Sequence, residues 1–186
     1  ATEAALLAAG DIADADADTA PNVTAASLLL QSGGAIGSGA DAFETAVGTL
    51  AASAGAGLFL VEADGLTVGA LSLAFERVGP DGTAGTLATD AGAGLTAGGA
   101  LVLEAGGDLT VVQPVSAQGP LRLEAAGALA LQAAVTTGGG ALSLLAGGAM
   151  TLSAAAQVQT TGGAIDIEAG SAVTMADGAS LTTAGG

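Results

Sequence analysis

The sequence predicts an all-β, right-handed parallel β-helix, a solenoid of 20–23 residues per coil with three short strands in each. Three observations predict it. Short apolar triplets recur in the C-terminal half, the first two triplets of every unit start 8 residues apart, and glycine-rich linkers separate them.

The triplets set the register. Leu101-Val102-Leu103, Leu109-Thr110-Val111 and Val115-Ser116-Ala117 form one unit. The next reads Leu121-Arg122-Leu123, Leu129-Ala130-Leu131, Val135-Thr136-Thr137. A third reads Leu142-Ser143-Leu144, Met150-Thr151-Leu152, Val158-Gln159-Thr160. A fourth reads Ile165-Asp166-Ile167, Val173-Thr174-Met175, Leu181-Thr182-Thr183. The leading positions 101, 121, 142 and 165 are spaced by 20, 21 and 23 residues. Each triplet is apolar at its first position and apolar or small at its third, the period of a strand with one face buried.

Between triplets lie Gly106-Gly107, Gly138-Gly139-Gly140, Gly147-Gly148, Gly162-Gly163 and Gly185-Gly186. Glycine supplies sharp corners and opposes a reading of these alanine-rich stretches as helices. No single coil can bury its own Leu and Val, so coils must stack. Stacking predicts inward columns Leu103/Leu123/Leu144/Ile167 and Leu109/Leu129/Met150/Val173, with small residues Ala117/Thr137/Thr160/Thr183 at a narrow corner. With a strand spacing of about 4.8 Å, the chain should make about eight or nine rungs, a rod about 40 Å long.

Upstream, the organisation divides into less regular N-terminal coils over 1–57, coils with an excursion near 77–90 within 58–100, and regular coils over 101–186. Leu58-Phe59-Leu60 and Leu66-Thr67-Val68 keep the 8-residue offset, and the 43 residues from Leu58 to Leu101 are expected to hold two coils. Val78-Gly79-Pro80-Asp81-Gly82-Thr83 reads as a turn or small excursion that Arg77 could cap. Ile12, Val23, Leu28, Leu30 and Ile36 are candidate inward positions without a fixed register. Phe43, Val47 and Leu50 have helical spacing, although Gly48 and the neighbouring coils favour rungs.

Composition narrows the function. The 186 residues hold no Cys, His, Trp, Tyr or Lys; Arg77 and Arg122 face 18 carboxylates, a formal charge of −16. A polyanion repels nucleic acid, which is bound through Lys and Arg. The mean hydropathy of +0.67 is high, yet polar residues or glycine interrupt every apolar run. No segment can span a bilayer as a helix, and three Phe cannot furnish the aromatic girdles of a transmembrane barrel. A soluble chain without membrane insertion is expected. Residues 1–10 lack the basic start of a signal peptide.

The segments Gly34-Ala35-Ile36-Gly37, Phe43-Glu44-Thr45-Ala46-Val47, Leu50 and Gly57-Leu58-Phe59-Leu60-Val61-Glu62 resemble a stretch common in filamentous-haemagglutinin-like large secreted bacterial exoproteins. Gly162 to Ile167 resembles their repeat units, while Phe43 stands where Leu is usual. The resemblance covers most of the chain at the level of the repeat. It implies the structural shaft of an extracellular adhesin at the bacterial cell surface, exported by two-partner secretion or as an autotransporter passenger. The sequence carries no secretion-domain or anchor signature of that family. The expected partners are adjacent β-helix coils of the same larger protein, copies stacked end to end into filaments, and a surface glycan or protein receptor.

Several constellations invite chemistry. The acid run Asp11, Asp14, Asp16, Asp18 could hold calcium, but it lacks the spacing of known calcium loops, and a solvated acidic edge is favoured. Glu104, Glu124 and Glu168, with Leu145 breaking their column, should splay into solvent and discourage lateral association. Thr67, Thr110, Thr151 and Thr174, interrupted by Ala130, form one outward rank, whereas ice binding uses paired ranks. A polysaccharide lyase needs a carboxylate-bound cation and a basic residue. Arg122 with Glu104, Glu124 and Asp166 is the nearest approach, and an exposed Arg paired with neighbouring acids is favoured. No catalytic, cofactor or metal residue is therefore assigned, and no enzyme is expected. Direct ligand binding through the Arg77–Thr89 excursion is the principal alternative.

Overall fold

The computed structural model describes residues 2–15 and 18–184, so Asp16 of the acid run and the Gly185-Gly186 linker lie outside the described residues. The chain is an all-β parallel solenoid of about eight turns, with no helix among the described residues. Its strands are β1 (Glu3–Ala8), β2 (Val23–Ser32), β3 (Phe43–Ala54), β4 (Leu58–Glu62), β5 (Leu66–Val68), β6 (Ala70–Val78), β7 (Ala84–Ala93) and β8 (Leu95–Ala97). Three regular coils follow as β9 (Leu101–Ala105), β10 (Leu109–Val111), β11 (Val115–Ala117); β12 (Leu121–Ala125), β13 (Leu129–Leu131), β14 (Val135–Thr137); and β15 (Leu142–Ala146), β16 (Met150–Leu152), β17 (Gln157–Thr160). The last is β18 (Ile165–Ala169), β19 (Val173–Met175) and β20 (Ser180–Thr183).

Every strand of the stack pairs in parallel with its counterpart one coil away, in the register the triplets predict. Leu101 pairs with Leu121, Leu121 with Leu142, and Leu142 with Ile165. The same column continues through Leu58, Ile36 and Ile12. Leu58, Leu101 and Leu142 are wholly buried, as are Leu103, Leu123 and Leu144 beside them. Burying a leucine side chain contributes about 1.5–3 kcal/mol, so these columns supply the main driving force. Ile12, Leu28, Leu30 and Ile36 are all in this core, with Val23 packed against it. Phe43, Val47 and Leu50 lie on a strand and face the core, so rungs win over helix there.

The 43 residues from Leu58 to Leu101 hold one coil, not two. Leu58 pairs directly with Leu101, and the surplus is an antiparallel hairpin, β6–β7, inserted between β5 and β8. The excursion thus runs from Ala70 to Ala93, longer than 77–90, and Arg77 is an exposed residue of β6 rather than a turn cap. Its tip is closed by Gly79 N–H to Thr83 O (2.9 Å) and by Thr83 N–H and Oγ1–H to Asp81 Oδ1. At its base Gly94 N–H donates to Gly69 O (2.9 Å). Gly94 has φ of +67°, and a Cβ there would lie 2.0 Å from Pro114 O, so only glycine returns the chain to the coil.

The hairpin folds over the outside of the first coils. Ala5, Leu29 and Ala51 form an outward column, and Leu29 and Ala51 are buried beneath Leu71, Leu73 and Phe75. Gln31 Nε2–H donates to Ala91 O (3.0 Å) and fixes the docked edge. A strand covered on both faces reads as an unbroken apolar run, and Leu28-Leu29-Leu30 is that run.

The corner column of small residues extends through Ser32, Ala54, Ala97, Ala117, Thr137, Thr160 and Thr183. Its hydroxyls satisfy the turning backbone: Ser32 Oγ–H reaches Gly10 O (2.6 Å), and the Oγ1–H groups of Thr137 and Thr160 both reach Gly140 O (2.9 Å). Replacing Leu123 with Ala should cost about 2–5 kcal/mol through the cavity it leaves. The outward Thr151→Ala should stay within about 0.5 kcal/mol of the parent. Urea denaturation of the two variants checks the inward–outward assignment.

Candidate functional site

Two corner loops build the most chemically distinctive site. Ile12 and Ile36, as isolated bridges, stack in line with Leu58 at the start of β4, but Phe43 stands over Leu60 and Val23 pairs with Thr45. Residues 37–42 and the described residues between 13 and 22 are therefore extra chain at one corner, where Asp14 and Asp41 lie against Glu44 of β3. Strand alternation points Phe43 and Thr45 inward and Glu44 outward. Glu44 is nevertheless only 7% exposed. Its backbone is clamped by Asn22, whose N–H donates to Glu44 O (3.0 Å) and whose Oδ1 accepts from Glu44 N–H (2.9 Å).

One carboxylate oxygen each from Asp14, Asp41 and Glu44 lies within 4.8 Å of the other two. Burial, then the negative charge of Asp14 and a side-chain hydrogen bond shared with it, and last the charge of Asp41, push the Glu44 carboxyl above its ordinary pKa, against a backbone hydrogen bond that lowers it. An open cleft lined by Asp11, Asp14, Ser38 and Asp41 lies alongside.

The acid run does not act as one unit. Asp11 Oδ1 accepts Ala35 N–H (2.7 Å) one coil on, and Asp108 Oδ1 accepts Ala128 N–H (2.7 Å) in the same way. Each aspartate occupies the space above which a glycine, Gly34 or Gly127, must sit; a Cβ there would lie 2.0–2.1 Å from the carboxylate oxygen. Asp18 Oδ1 caps its own turn through Ala20 N–H (2.6 Å). Among the described residues of the run, Asp14 joins the cluster with Asp41 and Glu44, two acids outside it.

Sequence reasoning missed a second buried acid. Glu62 occupies an inward position, in the column of Thr45, Ala105, Ala125, Ala146 and Ala169, and is 1% exposed. Its carboxylate accepts Thr45 Oγ1–H (2.7 Å) and Val47 N–H (3.0 and 3.1 Å to its two oxygens). Burial raises its pKa more than these hydrogen bonds lower it. The signal was a parity: Glu62 lies two residues after Leu60, on the face where later coils carry Ala.

The remaining constellations fall where the repeat puts them. Val61, Glu104, Glu124, Leu145 and Glu168 form one outward column. Glu104 and Glu124 turn onto Arg122, at 3.5 Å for Glu104 and in direct contact for Glu124, rather than splaying apart. Asp166 stands two rungs above Arg122, beyond Ser143. These partly exposed pairs contribute about 0–1 kcal/mol each. Thr49, Thr67, Thr110, Ala130, Thr151 and Thr174 form the outward column of the second strands, while that of the third strands mixes Thr96, Ser116, Thr136, Gln159 and Thr182.

Comparison of the chain with known protein families, with curated proteins and with solved structures finds no match.

An acid with a raised folded-state pKa favours folding most fully below its unfolded value, and that contribution is lost as pH rises through the folded value. The chain should therefore gain stability as pH falls from neutrality through the raised pKa of Glu62. Glu62→Gln keeps an acceptor for Val47 N–H and should flatten this slope, measured by thermal unfolding across pH 4–7. Glu62→Ala orphans the buried donor and should cost about 1–3 kcal/mol at all these pH values.

Proposed function

We propose that the chain is a stiff, non-enzymatic shaft segment of an extracellular adhesin-like bacterial surface protein. The observation that carries this reading is the continuous inward column from Ile12 to Ile165, held in register through every coil despite two loop insertions and a hairpin. Continuous backbone ladders and stacked aliphatic columns resist bending and proteolysis, which is what a spacer needs. Outward acids and a net charge of −16 oppose lateral sheet association. The resemblance of Gly34–Leu50 and Gly57–Glu62 to filamentous-haemagglutinin-like exoproteins supports the surface location.

Chemistry for catalysis is sparse. The chain has two cations, and Arg122 is engaged by two carboxylates. Each second strand presents one outward threonine rather than a pair, which disfavours ice binding. Partners in this reading are further coils. The outer edge of β18–β20 leaves Val173, Met175 and Leu181 43–47% exposed, a surface that another parallel rung, from the same protein or a second copy, would cover.

A second reading rests on the hairpin. Between it and the first coil lies an open cleft lined by Leu7, Phe75, Glu76, Arg77 and Asp90, suited to a surface glycan or host protein. Small-angle scattering should give the isolated chain a rigid rod profile with a stack about 35–40 Å long, set by rungs about 4.8 Å apart. Immobilised glycans and extracellular-matrix proteins should not retain it. Retention lost in an Arg77→Ala, Glu76→Ala double variant would move the assignment from shaft to binder.

A further inference from the structure

We infer that Asp14, Asp41 and Glu44 form a calcium site that ties the corner loops of two successive coils together. Three carboxylates alone would be a common surface feature. Here an independent observation points to a ligand: Glu44 is more than nine-tenths buried, and its Oε2 has no hydrogen-bond partner among the described residues. A buried carboxylate oxygen left without a donor is costly, and a bound cation removes that cost.

The geometry suits calcium. Oxygens that share one Ca²⁺ at about 2.3–2.6 Å can be no more than about 5 Å apart, and the three carboxylate oxygens here lie within 4.8 Å of one another. Calcium also accepts ligands from irregular loops and completes its shell with carbonyls and water. The adjoining cleft, lined by Asp11, Asp14, Ser38 and Asp41, opens the site to solvent. Among the described residues neither arginine is ion-paired with these three acids: Arg122 is held by Glu104 and Glu124, and Arg77 is on the exposed hairpin.

Among the described residues, Asn22 clamps Glu44 at the end of the first loop, Gly37 N–H donates to Ile12 O (2.9 Å) at the start of the second, and Ser38 N–H donates to Asp41 O (2.7 Å) within it. A cation shared by Asp14 from one loop, Asp41 from the other and Glu44 from β3 would lock both against the shaft. The site is independent of the shaft assignment, since a binder with the same fold would keep it.

Calorimetric titration of the whole chain with CaCl₂ in 150 mM NaCl tests the inference. One saturable site is expected, weakened at least tenfold in both Glu44→Gln and Asp41→Asn and unchanged in the distant Asp177→Asn. Calcium should raise the thermal midpoint of the parent and leave that of Glu44→Gln unmoved. Without calcium, Glu44→Gln should melt above the parent, because an uncompensated buried charge has been removed. Absence of a saturable site, or parent-like binding by Glu44→Gln or Asp41→Asn, overturns the assignment, leaving only diffuse attraction to an acidic surface. Should Glu44→Gln fail to fold by circular dichroism, the loop variant Asp41→Asn decides alone.

Discussion

Everything in this molecule depends on a rung having another rung above and below it. A coil of about 21 residues cannot enclose its own leucines, and its strands are too short to pair with anything except their counterparts. Vertical register is therefore the one quantity that cannot drift. A shift of one residue would turn Leu123 outward and Arg122 into the core, a change no neighbouring coil could absorb. The columns are conserved through the stack in shape rather than in identity: Leu, Ile and Met interchange along them, and small residues hold the corners.

That constraint explains where the chain is free to vary. Insertions can leave a coil only where the backbone turns and can return to the same register. The loops at 13–22 and 37–42 occur at one corner, and the hairpin leaves after Val68 and returns at Leu95. Each insertion changes what its neighbours must be. The hairpin makes Leu29 and Ala51 apolar on a face that is otherwise polar, and the corner loops bury Glu44 on a face where later coils keep their acids in solvent. Gly94, with its positive φ and its tight contact under Pro114, is the local cost of the largest excursion.

The regular half was fully legible in the sequence because its physics is periodic. Residues from Leu101 onward fall where the triplets put them, down to the Thr137/Thr160 corner and the second-strand rank of Thr110, Thr151 and Thr174. What was illegible is what departs from the period. The surplus between Leu58 and Leu101 is close to one coil in length, so arithmetic alone could not separate a second rung from a hairpin. The alternation Leu71, Leu73, Phe75 ahead of Gly79-Pro80-Asp81-Gly82 was the available hint. The carboxylate cluster was half visible: the run containing Asp14 stood out, but Asp41 and Glu44 join it only through a vertical stacking whose register the irregular N-terminal coils conceal. Glu62 was hidden for the opposite reason. It obeys the inward parity, and a glutamate in an alanine column can be recognised only when Thr45 and Val47 are seen beneath it.

The distribution of these departures is itself informative. All three insertions, both buried glutamates and the second apolar cluster lie before Leu95, whereas the coils from Leu101 to Thr183 carry only short corners. Smooth coils and decorated coils obey the same stacking rule, so the difference is not imposed by folding. A chain that needed only length could repeat the smooth unit throughout. Retaining a docked hairpin, which requires a dedicated apolar face and an obligatory glycine, and two acid-bearing loops, which bury a carboxylate at a cost, implies that the N-terminal coils contribute something that extension alone does not. In the proposed shaft, that contribution would be local stiffening by the docked hairpin and, through the inferred calcium site, a cation-dependent lock among the less regular coils.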